Sequence, residues 1–174
     1  MTTDKTIAIV MGSDSDLTVM KDAAEFLEDI GIGFHLTILS AHRTPKRMLD
    51  FAEHASGSGY KVIIAGAGGA AHLPGMIASI TTLPVIGVPI QLKTLSGLDS
   101  LLSIVQMPNG VPVATVAINA AKNAAILAAQ ILAISDPILQ KRIADHKASM
   151  LNEVEDKAMR IEKLGYEKYM NSER

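Results

Sequence analysis

The chain reads as short apolar runs separated by amphipathic ones. Residues 6–11 (TIAIVM), 34–39, 62–65, 83–88 and 111–118 are apolar at most positions, the pattern of strands buried on both faces. After the first run, Leu17, Met20, Ala24, Leu27 and Ile30 recur at helical spacing, and Gly31 ends the period. Met48, Leu49 and Ala52 carry a second helix, predicted from Pro45 to about Ser56. A glycine-rich stretch, 66–76, leads into a third, with Pro74 near its start. A short helix follows over 98–105. An alanine-rich helix over 120–134 is apolar nearly all round, as a helix covered on two sides would be. Asp136 and Pro137 open the last helix, where Ile143, Met150, Val154, Ala158 and Ile161 share a stripe.

Strands alternating with helices predict a parallel sheet with helices on both faces, an α/β three-layer sandwich. Five strands favour the flavodoxin-like order 2-1-3-4-5. The chain, 1–174, is expected to form a single domain: a sandwich core in 1–134, an extended C-terminal helical arm in 135–165 and a disordered tail in 166–174. In such sheets the ligand crevice lies beyond the carboxyl ends of the strands, where the winding reverses. The turns after the first three strands, 12–16, 40–45 and 66–72, would converge there.

Composition excludes several classes. A chain of 174 residues is large enough to bury a full core. It has no cysteine, hence no disulfide, thiol nucleophile or cysteine-ligated zinc. Sixteen basic and eighteen acidic residues give a net charge of −2, without the basic footprint of a nucleic-acid binder. No signal-peptide pattern precedes the first strand. The best candidate for a bilayer span, 124–134, is too short and contains Gln130. A soluble cytoplasmic protein with no nucleic-acid or membrane partner is expected. Charge distribution adds a further constraint. Between Val62 and Ala121 the only charged residues are Lys93 and Asp99, whereas sixteen, eight of each sign, fall within the last forty positions. The first segment reads as core and subunit interface and the second as a solvated arm, which favours a homo-oligomer over an unusually apolar core.

The convergent turns carry candidate chemistry. Ser40-Ala41-His42-Arg43-Thr44-Pro45 places a hydroxyl, an imidazole and a guanidinium at a helix start, with Thr44 as N-cap and Pro45 in the first turn. That set suits an anion and a proton transfer; the alternative is a capped turn with solvated side chains. Gly12 allows a tight bend, and Ser13 and Ser15 offer hydroxyls beside helix-start N–H groups, a cradle for phosphate. Asp16 would repel phosphate, so it is assigned to sugar hydroxyls, while Asp14 is explained by the helix dipole. The glycine run 66–71 lets backbone approach a flat ligand. Its match to G-x-G-x-x-A is superficial, because it follows the third strand and no acidic residue lies near twenty positions on. Of five histidines, His35, His54 and His146 have no partner signal and read as structural or exposed. His42 and His72 lie on the convergent turns. No third ligand accompanies them, so no metal is expected. His42 is the candidate general acid/base, and His72 reads as a supporting donor.

Taken together, MGSDSD, SAHRTP, GAGGAAHLPGM, LSGLDSLLSIVQMP and the LAAQILA helix resemble the class I N5-carboxyaminoimidazole ribonucleotide mutases of purine biosynthesis, over roughly residues 6 to 165. The resemblance implies a flavodoxin-like homo-octamer with no metal or organic cofactor, in which a carboxylate moves from N5 to C4 of an aminoimidazole ribonucleotide. It matches Ser13 and Asp16 to substrate-binding residues, Ser40 and Arg43 to phosphate contacts, and His42 to the catalytic histidine. Gly68, Gly69, His72 and Leu73 match the loop closing around the imidazole and the migrating carbon dioxide. In this family a small residue is commoner where the chain has Leu92, in a loop near the site. The alternatives are a direct CO₂-dependent carboxylase of the same ribonucleotide and a non-catalytic phosphoribosyl-nucleotide-binding protein.

Overall fold

The computed structural model describes residues 5–172. Five parallel strands, β1 (Ile7–Met11), β2 (Phe34–Ile38), β3 (Val62–Gly68), β4 (Val85–Ile90) and β5 (Ala114–Thr115), form one sheet in the order β2-β1-β3-β4-β5. Seven helices accompany them among the described residues: α1 (Leu17–Asp29), α2 (Pro45–His54), α3 (Leu73–Ala78), α4 (Leu98–Val105), α5 (Ala121–Ala133), α6 (Pro137–Leu164) and α7 (Tyr166–Ser172). The expected strand order and flanking helices are present.

Each central strand alternates between two cores. Ile7, Ile9, Met11, Ile64, Ile86 and Val88 face α1, α5 and the start of α6, where Phe26, Leu27, Ala125 and Ile143 meet them. Ala8, Val10, Ile63, Ala65 and Ala67 face the other way, toward Met48 of α2, Leu73 and Ile77 of α3 and Ile104 of α4. Strands β1 and β4 are buried at every position, which explains their near-continuous apolar sequence.

Several boundaries differ from expectation. Strand β3 runs through Gly66, Ala67 and Gly68, read in the sequence as turn, because it is central and pairs with β1 and β4 as far as Gly68↔Ile90. Strand β5 pairs only at Ala114 and Thr115, far less than 111–118. It is an edge strand, Pro112 has no N–H to give, and the chain then turns at Asn119, whose φ is +59°. Helix α5 buries its alanines but leaves Ile126 and Leu127 only partly covered, so within this chain one side is open. The segment expected to be a disordered tail forms α7 over Tyr166–Ser172; residues 173–174 lie outside the described residues. Gly165, at φ +75°, ends α6, and Arg160 stacks over the Tyr169 ring at 5.6 Å, tying α7 back to α6.

Helix α6 begins as expected, with the Asp136 carboxylate accepting the Ile138 and Leu139 N–H groups at 3.0 Å each. Only Leu139 and Ile143 of its residues are buried; Met150, Val154 and Ile161 stand exposed.

Candidate active site

The loops at the carboxyl ends of β1, β2 and β3 meet around a cavity of about 310 Å³. Its wall contains Ser13, Ser15 and Asp16 from the first, Ser40, His42 and Arg43 from the second, and Gly68, His72 and Leu73 from the third. Of the residues that the sequence assigns to catalysis and substrate binding, Gly69 alone does not line it. The Gly69 N–H instead donates to Ser100 Oγ at 2.8 Å, and that hydroxyl donates to the Ile90 carbonyl at 2.7 Å. Ser100 is fully buried and fixes the glycine shelf to the end of β4. Sequence reasoning missed this role; the only signal was a serine inside the apolar 98–105 helix.

The first loop is a single 3-10 turn, Asp14–Asp16, running directly into α1. A capping box closes it: the Ser13 N–H donates to Asp16 Oδ2 at 3.0 Å, and Ser13 Oγ accepts the Ser15 N–H at 3.4 Å. Ser15 Oγ reaches Asp16 Oδ1 at 3.5 Å. Asp14 is exposed, and its carboxyl is held below the ordinary value chiefly by the Ser13 hydroxyl, which donates to it at 2.9 Å. Asp16 is only 5 % exposed, and burial raises its carboxyl above the ordinary value against the opposing pull of backbone N–H groups, the Ser15 hydroxyl and Arg43.

That shift has a sign that can be measured. The unfolded chain loses the Asp16 proton at lower pH than the folded one, so ionisation lowers stability. The loss is absent below the unfolded value and complete once pH passes the folded one. Asp16→Asn still offers Ser13 an acceptor and never ionises. Its stability relative to the parent should therefore rise as pH climbs through and above 3.8, the ordinary carboxyl value. Chemical denaturation at several pH values reads this, and a flat difference would contradict the desolvation of Asp16.

In the second loop Thr44 occupies the N-cap position of α2 with Pro45 after it, but its hydroxyl does not cap the helix. Thr44 Oγ1 accepts the Ser40 N–H and donates to the Ser40 carbonyl, both at 3.1 Å, closing the turn on itself. Ser40 Oγ accepts two bonds from Arg43, from the backbone N–H and from Nε, each at 3.2 Å. Arg43 Nη2 donates to the Gly12 carbonyl at 3.0 Å. The guanidinium thus latches the first turn to the second, and its Nη1 donors have no protein partner among the described residues.

The third loop brings His72 to His42. Nδ1 of His72 lies 2.8 Å from Nε2 of His42, and the rings meet edge to face with centroids 4.9 Å apart. One nitrogen donates and the other accepts, so the contact requires at least one imidazole to be neutral. Both rings are exposed. The remaining histidines are elsewhere. His35 stacks on Tyr60, His54 Nδ1 bonds the Asp50 carbonyl at 2.7 Å, and His146 meets Phe26 edge on. No group of three or more His, Cys, Asp or Glu side chains suited to a metal ion occurs among the described residues. No helix among them is long and apolar enough to cross a membrane.

An oxygen anion could be held by Arg43 and the serine-rich first turn, a sugar by Asp16, and a flat ring by the glycine shelf, with two imidazoles beside it. Known proteins share this arrangement of sequence. An N5-carboxyaminoimidazole ribonucleotide mutase from Thermotoga maritima is 63% identical over 165 residues, spanning 95% of this chain and 96% of its own. A protein of the same name from Pyrococcus horikoshii is 59% identical over 165 residues, 95% of this chain and 93% of its own. Among solved structures, the crystal structure of Treponema denticola PurE superposes with a TM-score of 0.81 at 26% identity, covering 92% of this chain and 98% of that one. Residues 6–153 match the family model described as AIR carboxylase, and with that match the chain belongs to the AIR carboxylase family.

Proposed function

We propose that this chain is an N5-carboxyaminoimidazole ribonucleotide mutase of de novo purine biosynthesis, acting in the cytoplasm. It moves a carboxylate from the exocyclic N5 to C4 of the aminoimidazole ring. The observation that carries this is the His42–His72 contact of 2.8 Å on the wall of a cavity shared with Arg43 and the glycine shelf. The near full-length identity to proteins of that name supports it.

The chemistry needs a proton to travel in a circle. Cleavage of the N5–carboxylate bond leaves its electron pair on nitrogen, which takes a proton from His42, and frees CO₂. C4 then attacks the CO₂ carbon, and the C4 hydrogen returns as a proton to His42. Nothing is consumed, and no redox partner or external acid is required. An imidazole suits both halves because its charge changes near neutral pH. His72 holds the His42 ring by its Nε2, fixing the orientation and tautomer through which the proton moves. Arg43 receives the phosphate on Nη1, and the Ser40 hydroxyl, already an acceptor from Arg43, keeps its own hydrogen for a phosphate oxygen. Ser13 and Ser15 complete that cradle, Asp16 takes the ribose hydroxyls, and Gly68 and Leu73 line the ring and CO₂ pocket. Gly69, with its N–H occupied by Ser100, supports this lining from behind.

The same reading includes a homo-octamer. Leu95, Leu98, Leu102 and Val105, on and before α4, are exposed, as is the apolar stripe of α6; all would be costly to leave in water. Light scattering at micromolar protein should give a multimer mass, about eight chains by family resemblance, and a monomer mass would overturn the assembly. The activity itself is tested by incubating the chain with N5-carboxylated ribonucleotide, without ATP or metal, and following the C4-carboxylated product. Product formed only from aminoimidazole ribonucleotide and CO₂ would instead identify a direct carboxylase.

A further inference from the structure

We infer that Ser100 is a positioning residue for the His42–His72 pair. Its hydroxyl fixes the Gly69 peptide, and the short path from Gly69 to His72 carries that placement to the imidazole. The catalytic part of this role rests on the mutase reading above. Among the described residues the His72 ring is hydrogen-bonded to His42 alone, at 2.8 Å. Where the ring stands is therefore decided by the backbone that bears it.

That backbone is held on both sides. Downstream, the His72 carbonyl accepts the Met76 N–H at 2.9 Å, and Leu73 and Pro74 are buried as α3 begins. Upstream, the His72 N–H donates to the Ala70 carbonyl at 2.8 Å, a tight turn, and Ala71 is packed into the same core as Met48 of α2. Only these two alanines separate His72 from Gly69. Gly69 is where the chain leaves the sheet, at φ +66°. A glycine there makes the turn without strain, but by itself it would let the loop swing.

Ser100 removes that freedom. Its hydroxyl accepts the Gly69 N–H at 2.8 Å and donates to the Ile90 carbonyl at 2.7 Å. Gly68 and Ile90 are the last pair of β3 and β4, so the hydroxyl carries the pairing one residue past the sheet. Ser103, one turn on, adds a longer contact: its hydroxyl donates to the Asp99 carbonyl at 2.7 Å and lies 3.4 Å from the Gly69 carbonyl. Helix α4 is itself seated, because Ile104 is fully buried against Gly87 of β4, where a Cβ would fall 2.5 Å from Ile104 Cγ2. The fixed reference for His72 is thus the sheet, reached through a hydroxyl that no solvent touches. Without it, the Gly69 N–H and the Ile90 carbonyl lose their shared partner, and the loop must shift to satisfy them.

The test uses the purified full chain. Ser100→Ala deletes the hydroxyl, and Ser100→Cys fills its place with a group that hydrogen-bonds poorly. In single turnovers of N5-carboxylated ribonucleotide, both should be slower by at least about tenfold. Nucleotide affinity should stay within a few-fold of the parent, because the first and second loops hold phosphate and ribose. Both substitutions are then repeated in a His72→Ala protein. A residue that acts through His72 has nothing left to position there, so the further fall should largely vanish. An equal fall in the two backgrounds means that Ser100 only stabilises the fold, and it overturns the inference, as does a parental rate for both substitutions. Hydrogen exchange gives a readout independent of the chemistry: it should quicken over 66–76 in both variants and stay parental over 12–16 and 40–45. Unchanged exchange over 66–76 overturns the inference whatever the reaction proves to be. A parent that forms no C4-carboxylated product overturns the mutase reading instead, and exchange still decides whether Ser100 holds the loop.

Discussion

Replacing His42 by glutamine is expected to leave nucleotide affinity within a few-fold of the parent while single-turnover product formation falls at least about 10²-fold. Glutamine keeps the size and can still hydrogen-bond His72, but it cannot take up and return a proton near neutral pH. Arg43 and Ser40 do not depend on His42 for their own bonds, so the phosphate grip survives. His72→Gln should be milder, because the amide can replace the imidazole as a partner for His42 Nε2. Single-turnover assays beside equilibrium binding separate these cases. A His42→Gln protein with near-parental turnover defeats the mechanism. If His72→Gln is the inactive one, the shuttling proton belongs to the third loop.

Arg43→Ala should weaken nucleotide binding by about 1.5–3 kcal/mol, the worth of a charge-assisted hydrogen bond. The structure adds a second consequence that the sequence did not suggest. Arg43 also holds the Gly12 carbonyl at 3.0 Å, so its loss frees the first loop from the second. The unphosphorylated nucleoside distinguishes the two roles. If Arg43 serves the phosphate, nucleoside affinity is the same in both proteins and only the nucleotide suffers. An equal loss for both ligands would mean that Arg43 acts by holding Gly12, and the phosphate assignment would fail.

The layout of the site was readable because strand–helix alternation dictates a parallel sheet, and such a sheet gathers its carboxyl-end turns. That places Ser13, Ser40 and Gly68 together without any tertiary knowledge. What was not readable depends on partners distant in sequence. The sequence gives His42 and His72 separate roles, acid/base and supporting donor, because nothing at a spacing of thirty residues signals that two rings will touch. Gly69 belongs to a motif continuous with Gly68 and so reads as a ligand contact; the position of Ser100 reveals that its N–H is taken. Local sequence makes Thr44 a capping hydroxyl, and Ser40 competes for it successfully. The short β5 and the longer β3 likewise follow from being an edge and a centre of the sheet, which residue patterns do not encode.

The two sides of the sheet differ in grain. Toward α1 and α5 the strands present Ile7, Ile9, Ile64 and Ile86; toward α2 and α3 they present Ala8, Ala65 and Ala67 alongside Val10 and Ile63. Damage therefore has opposite characters on the two sides. Truncating an isoleucine leaves a hole and costs stability, about 2–5 kcal/mol for a change to alanine. Enlarging one of the alanines leaves no hole; it lifts a helix. The helices that would lift are those entered from the second and third loops, which carry His42 and His72. The smallness of Ala8 and Ala65 therefore keeps α2 and α3 seated on the sheet, and with them the loops that carry His42 and His72.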